Sequence, residues 1–475
     1  MASMDTIKTD MAVIGSGPGG YAAAFAAADA GKRVVLVEQS KRLGGVCLNA
    51  GCIPSKALLN ATHQIVAARA SAKRGISFAE PVVDTAKLKE WKEGVLNKLA
   101  SGIAMLAKKR NVQIVTGAAS FVDDGALSVA TEDGTQRIEF ENAIIATGSK
   151  PALPALFDLG DPRVMTSTEA LEVDGIPKTL LIIGGGYIGM ELGTVYAALG
   201  TGVTVVEALD VLLAGADSDL ARPVTIYAKR NFKKLHLKSK VSGLKASSAG
   251  IEVSIESATG AIVETFERVL VSVGRIPNTA GLNIEAANCE LDERGFVRVD
   301  DRQRTKANNI FAIGDVAGGV MLAHKAVREA RVAVGSILGS DAAKNTPHIP
   351  AVVFTDPELA WVGLTESDAK EQGIDHQIAK FSWGACGRSL TMDRIDGLTK
   401  LIVDPVSERI LGVGITGPGA GELIAEATLA LEMGATAKDL ANTIHPHPTL
   451  SETLMEAAEV FYGHATHALP GQARN

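Results

Sequence analysis

A chain of 475 residues with 46% hydrophobic and 21% charged residues is long enough for about three domains, each burying its own core, which excludes general disorder. A net charge of −7 and an aromatic share of 4% lack the phosphate-neutralising surplus and the stacking platforms of nucleic-acid binders, so no nucleic-acid partner is expected. Four cysteines in such a length cannot be a disulfide framework, and no metal site is expected.

The opening MASMDTIKTD is polar, without the apolar run of a signal peptide, so the cytoplasm is the expected compartment. Met11 to Ile14 then reads as a buried strand. GSGPGG follows at 15–20, with an alanine-rich helix that Gly31 ends and a strand RVVLV that closes on Glu38.

Next comes LGGVCLNAGCIPSKALL, which sets Cys47 five residues before Cys52. On an ideal helix such a pair is roughly 8–9 Å apart at Cα, beyond disulfide reach. Bridging therefore needs a looped segment, for which Gly44, Gly45 and Gly51 supply the freedom, and Pro54 suits the first turn of a following helix. A lone buried cysteine is ordinarily an inert packing residue, the role assigned to Cys289 and Cys386. Thiols near a helix start, with Lys56 close by, are instead expected to be acidic and reactive.

The first pattern recurs downstream. LLII leads into GGGYIG at 184–189, a helix stops at Gly200, and VTVV closes on Glu207; Gly15 to Glu38 and Gly184 to Glu207 span the same 23 positions. Residues 179–206 carry Glu191 as their one charge and are long enough to cross a bilayer, but the glycines divide them into strand, turn, helix and strand, so no membrane partner is expected.

In each repeat the first glycine (Gly15, Gly184) permits the tight turn and the second (Gly17, Gly186) lets a pyrophosphate approach the backbone. The third (Gly20, Gly189) lets helix pack on strand, and the acid accepts hydrogen bonds from a ribose. No base follows Glu207 in ALDVLLAGAD, so the second site should take NAD rather than NADP. Two such sites suggest a tightly held flavin and an exchanging nicotinamide. Near the C-terminus, Pro446 and Pro448 hold His447 extended, and Thr449 to Glu452 has the spacing of a capping box. By themselves these residues fit capping and catalysis alike.

The segment GGVCLNAGCIPSKALL resembles the redox-active segment of the pyridine nucleotide–disulfide oxidoreductases. IIATGSKP, VSVGRIPNT, NIFAIGDVAGG, MLAHKAVREA, VVFTDPELAWVGLTE and HPHPTLSE are similar to that family's other landmarks, in the same order. Val46 stands where many members carry Thr, and Cys386 where Asn or Ser is familiar.

The resemblance implies an α/β fold with two Rossmann-like dinucleotide-binding domains, for FAD and NAD, and a C-terminal α+β dimerisation domain. The implied boundaries are 1–150 with 276–347 for the flavin domain, 151–275 for the NAD domain and 348–475 for the interface domain. It further implies that Cys52 faces the flavin as the charge-transfer thiolate and that Cys47 exchanges with substrate. His447 would be the base and Glu452 would orient it, over the disulfide of the partner in a homodimer; His445 does not match the catalytic position.

Asp315 would hold the flavin ribitol, and Lys56 with Glu191 would form an ion pair near the flavin ring, in keeping with an isolated charge that wants a partner. Thr147, Gly148, Met321 and Ala323 join the flavin contacts, and Gly274 joins the cofactor-binding residues. His324 is read as structural.

The implied reaction is oxidation of dihydrolipoyl groups with NAD⁺. Partners would be lipoyl domains and acyltransferase cores of 2-oxo acid dehydrogenase complexes, since no lipoyl domain precedes the first strand. NADH-dependent reduction of a glutathione-like or organic disulfide stays open, as does a scaffold with vestigial cofactor sites. No cysteine follows in HATHALPGQARN, against relatives with C-terminal thiols.

Overall fold

The computed structural model describes residues 6–258, 260–340 and 348–469. The first five residues of the polar start, the expected boundary at 347 and the last six residues of the tail lie outside them.

The N-terminal sheet runs in the order Gln113–Thr116, Val34–Glu38, Ile7–Ile14, Gly134–Ile145, Ala126–Thr131 and Ala118–Asp123, and Ile310–Ala312 returns to pair with Gly134–Ile145. The first four of these strands are parallel. Met11 to Ile14 are buried on both faces, as parallel strands under helices must be. Helix Pro18–Asp29 presents Ala23, Ala24 and Ala27 to the core that also holds Ala330 and Ala333 of helix Ala323–Ile337. Alanines let these two helices approach closely.

The second sheet repeats the arrangement, in the order Lys234–His236, Gly202–Val206, Thr179–Ile183, Arg268–Val271 and Val164–Met165, all parallel. Each sheet is thus ordered outward from a first strand that leads into a glycine turn, with the strand order reversing beside that turn, where doubly wound sheets bind ligands. Between the two sheets the chain leaves through Ser149–Pro151 and comes back through Arg275–Pro277, and these short strands pair antiparallel. The 179–206 stretch is strand, helix and strand, and among the described residues no helix is long and apolar enough to cross a membrane.

The C-terminal part is an antiparallel sheet in the order Ala351–Val353, Leu359–Gly363, Ile410–Thr416, Leu398–Val403 and Gln377–Ser382, covered by helices Ala420–Glu432 and Glu452–Tyr462. The architecture is therefore two Rossmann-like α/β units and a C-terminal α+β unit. Cys289 and Cys386 are buried in the first and last cores, as their packing role requires.

Candidate active site

The two glycine turns share one backbone plan. Gly15 and Gly184 have φ of +101° and +106°, where a side chain is strained. A Cβ there would lie 2.4 Å from the Ala146 carbonyl oxygen and 2.5 Å from the Ser272 carbonyl oxygen, each just beyond the neighbouring parallel strand. Gly20 and Gly189 press on the carbonyls of Gly15 and Gly184, at 1.8 and 2.3 Å from an added Cβ.

The middle glycines differ. A Cβ on Gly186 would meet nothing within 4 Å, and on Gly17 only Gly45 Cα at 4.0 Å. Both are N-caps without a side-chain cap, so the helix-end amides face open space. That is a cradle for a pyrophosphate. Glu38 takes the Ser16 amide and hydroxyl on Oε2, at 2.8 and 2.7 Å, and Glu207 takes the Gly185 amide at 2.6 Å. The closing acid thus braces its own turn in both repeats, and the residues present fit a dinucleotide at each.

The cysteine segment leans on the first turn. Gly44 N donates to the carbonyl and the hydroxyl of Ser16, at 3.1 Å each. Cys47 lies in helix Gly45–Ala50, and Cys52 is the first residue of helix Cys52–Ser71. The break expected between them falls at Gly51, where an added Cβ would sit 3.0 Å from the Val46 carbonyl oxygen and 3.4 Å from Cys47 Cα. A side chain there would push the two helices apart and separate the thiols.

Both cysteines are free, half-buried thiols that line the same cleft. Hydrogen bonding from the neighbouring Cys47 thiol lowers Cys52 from its ordinary 9.0 to about 7; Lys56 adds to it while burial opposes it. The same bond, with burial, pushes Cys47 up. Of the two, Cys52 at the helix start is therefore the thiol that ionises more readily.

Cys47, Cys52, Lys56 and Glu191 line one cleft of about 350 Å³ with Gly15, Gly17, Glu38, Thr147, Gly148, Asp315, Met321 and Ala323. Most of the expected flavin-side residues therefore converge. Lys56 Nζ meets both oxygens of Glu191, at 3.0 and 2.8 Å, and lies 4.6 Å from the centre of the Phe354 ring. Glu191, 4% exposed, also accepts from the Ser55 hydroxyl at 2.8 Å and the Phe354 amide at 3.0 Å, so the buried charge is fully partnered.

At the other end of the cleft the Ser149 hydroxyl donates to Asp315, and Arg275 Nε donates to Ser149 Oγ at 2.8 Å. Thr147 and Asn278 exchange hydrogen bonds at 2.8 and 3.1 Å. Sequence reading passed over Ser16, Ser55, Ser149, Arg275 and Asn278, whose neighbours come from distant segments. The repeat itself could have flagged Ser16, which sits at the position of Gly185. Gly274 (φ +128°) follows the second sheet and is not part of the cleft lining.

His447 and Glu452 are brought to each other but not to the cysteines. His447 Nδ1 is 2.8 Å from Glu452 Oε1, while Glu452 Oε2 accepts the Thr449 amide at 2.7 Å. One carboxylate therefore orients the imidazole and accepts a backbone amide just before the helix, but the expected capping box is not closed: the Thr449 hydroxyl donates to the Pro446 carbonyl, and the helix has no side-chain cap at Ser451. Burial raises the Glu452 carboxyl, but the Thr449 amide and His447 outweigh it and keep it below its ordinary 4.5. The His447 side chain is 71% exposed and is not among the residues lining the cleft. His445 is held by Thr443 and Glu426, and His324 bonds the Pro350 carbonyl.

Two dinucleotide cradles beside a redox-poised thiol pair define a nucleotide-dependent disulfide oxidoreductase. The chain belongs to the pyridine nucleotide-disulphide oxidoreductase family: residues 9–330 match that family's model, and 349–458 match its dimerisation domain. Among similar proteins are the dihydrolipoyl dehydrogenases of Vibrio parahaemolyticus, 47% identical with 97% of each chain covered, and Vibrio cholerae, 46% identical with the same coverage. Among solved structures, a Cu(II) complex of the HOCl-induced flavoprotein disulfide reductase RclA from Escherichia coli superimposes with a TM-score of 0.85 at 30% identity, over 95% of this chain and 99% of that one.

Proposed function

We propose that this chain oxidises dihydrolipoyl groups to lipoyl groups with NAD⁺, using FAD and the Cys47–Cys52 pair, as a homodimer. The observation that carries the reading is Cys52 at a helix start beside Cys47, both lining the cleft that begins at the first dinucleotide turn. Relatives 45–47% identical along nearly the whole chain share the name dihydrolipoyl dehydrogenase, which favours lipoyl over other disulfides.

In this reading residues 1–150 with 276–347 hold FAD, through the turn at Gly15, Gly17 and Gly20, Glu38, Thr147, Gly148, Asp315, Met321 and Ala323. Residues 151–275 hold NAD, through Gly184, Gly186, Gly189, Glu207 and Gly274, and residues 348–475 form the dimer contact.

The chemistry on the protein side is a disulfide exchange. One substrate thiolate attacks Cys47 of the oxidised pair, and Cys52 leaves as the thiolate that Lys56 and the helix start stabilise. The second substrate thiol then displaces Cys47, closing the lipoyl disulfide and leaving both cysteines reduced. His447 of the facing subunit takes the substrate proton on Nε2, because Nδ1 is engaged by Glu452. Its exposure in one chain suits a base that completes the site of another chain. Bound FAD supplies the two-electron relay between the reduced pair and NAD⁺, and Lys56 with Glu191 fixes the charge beside it. Lipoyl domains and acyltransferase cores of 2-oxo acid dehydrogenase complexes are the partners this reaction calls for.

The test is a panel of dihydrolipoamide, glutathione and small organic dithiols or their disulfides, assayed with both nicotinamides. Dihydrolipoamide with NAD⁺ should dominate, and Cys47→Ser should abolish it while leaving NADH oxidation by an artificial dye intact. Preference for another disulfide, or equal survival of both activities in the variant, overturns the reading.

A further inference from the structure

Beyond the His447–Glu452 pair lies a second imidazole–carboxylate pair that the steps above do not use. Gly463 (φ +79°) ends helix Glu452–Tyr462, and the chain turns back along it. His464 N donates to the Glu459 carbonyl at 3.2 Å, the His464 ring stacks on Tyr462 at 5.7 Å, and Thr466 N donates to the Glu459 carboxylate at 3.2 Å. This return sets His467 on Glu456: its backbone N donates to Oε2 at 3.3 Å, and its Nδ1 meets Oε1. The Glu456 side chain is 4% exposed, and a carboxylate at that depth stays ionised only with a partner.

Glu456 stands one helical turn after Glu452, so the two carboxylates share a face with Cβ atoms roughly 5–6 Å apart. Left alone, they would repel, and the doubled negative charge would strengthen proton binding at His447. His467 offsets this. Glu456 first, then Glu452 and Glu459, raise His467 above its ordinary 6.5, so it carries its positive charge further up the pH scale. Glu452 in turn is surrounded by the Thr449 amide, His447 and His467.

We propose that His467 is a positioning residue for dithiol oxidation: by neutralising the buried Glu456 it sets the charge around Glu452 and His447, and so the pH at which His447 is free to take the substrate proton. The proposal rests on the reading of His447 as the base.

Removing the charge should let His447 hold its proton to higher pH. His467→Gln keeps a donor for Glu456 without the charge, and the acid limb of the dihydrolipoamide oxidation profile should move up by ~0.5 pH unit, about a threefold lower rate at a fixed pH on that limb. His467→Arg keeps the charge and should leave the limb at its wild-type position. All measurements use the FAD-loaded, full-length enzyme, with NADH oxidation by a dye as the check on folding and loading.

A His467→Gln limb that superimposes on wild type overturns the proposal. So does a His467→Arg limb displaced as far as that of His467→Gln, since shape and not charge would then be at issue. His447→Gln separates this failure from that of the underlying reading. A roughly 10²–10⁴-fold loss of dithiol oxidation with an unmoved His467→Gln limb removes this inference alone, whereas a negligible effect of His447→Gln removes the base itself.

Discussion

Replacing Lys56 with methionine deletes the cation one helical turn from Cys52 while keeping the length of its stem. At i, i+4 spacing on helix Cys52–Ser71 the two side chains leave the helix ~6 Å apart at Cβ, a separation of the same order as that between ammonium and thiolate. With an effective dielectric near 20, the attraction between unit charges at that distance is roughly 2.8 kcal/mol, or about 2 pH units. Solvent reduces what is lost, because the Lys56 side chain is 32% exposed and its field is partly screened. The hydrogen bond from Cys47 is the larger cause of the lowered Cys52 thiol and survives the substitution.

The expected result is therefore a Cys52 thiolate that appears near pH 8 instead of about 7, a shift of ~1 pH unit. In Lys56→Met the carboxylate of Glu191 is left facing the sulfur, so Lys56→Met with Glu191→Gln should titrate between the single variant and wild type. Thiolate absorbance near 240 nm in the reduced protein reads the titration, and peptide mass spectrometry after alkylation assigns it to Cys47 or Cys52. A Lys56→Met midpoint within ~0.3 pH unit of wild type would refute this electrostatic account, leaving the Cys47 hydrogen bond as the sole source of acidity.

Glu207→Arg should raise the NADPH to NADH ratio of kcat/KM at least roughly tenfold, the worth of one unfavourable charge contact of about 1.4 kcal/mol removed; an unchanged ratio means the acid does not face the ribose. Lys400 is 1% exposed and meets Asp217, Asp219 and Glu366 at 2.9, 3.2 and 2.7 Å, joining helix Ser218–Asn231 to the C-terminal sheet. Lys400→Met strands buried carboxylates and should cost ~3–5 kcal/mol, read as a lower Tm at pH 7. Glu366 is held at about 2, below its ordinary 4.5, by Lys370 and Lys400. Its folded value is depressed, so its contribution is present above pH 4.5 and is lost as pH falls toward 2; the Tm gap between variant and wild type should narrow over that window, and a constant gap would show that Glu366 is not coupled to Lys400.

Much of the site was legible because its devices are local. A glycine turn needs particular residues at fixed offsets, and the acid 23 positions on is set by the length of one strand–helix–strand unit. The helix break at Gly51 follows from the reach of a thiol pair. Glu191 announced itself as a charge in an apolar stretch, and its nearest cation was close to the cysteines in sequence. The HxHPTxxE string indicated a histidine beside a carboxylate, although only the structure showed that Glu452 holds the imidazole while the Thr449 hydroxyl turns to Pro446 and leaves the capping box open.

What the sequence alone determined, then, is the set of units whose geometry is written within some thirty residues: the two nucleotide turns, the thiol pair and the histidine–carboxylate motif. Only the tertiary structure decided which groups face one another across 100 residues or more. It joined Ser149 to Asp315 and to Arg275, Ser55 and Phe354 to Glu191, and Lys400 to Asp217 and Asp219. These contacts depend on how sheets stack and where the chain re-enters them, and burial of a charge forces a partner to exist without saying from which strand it will come.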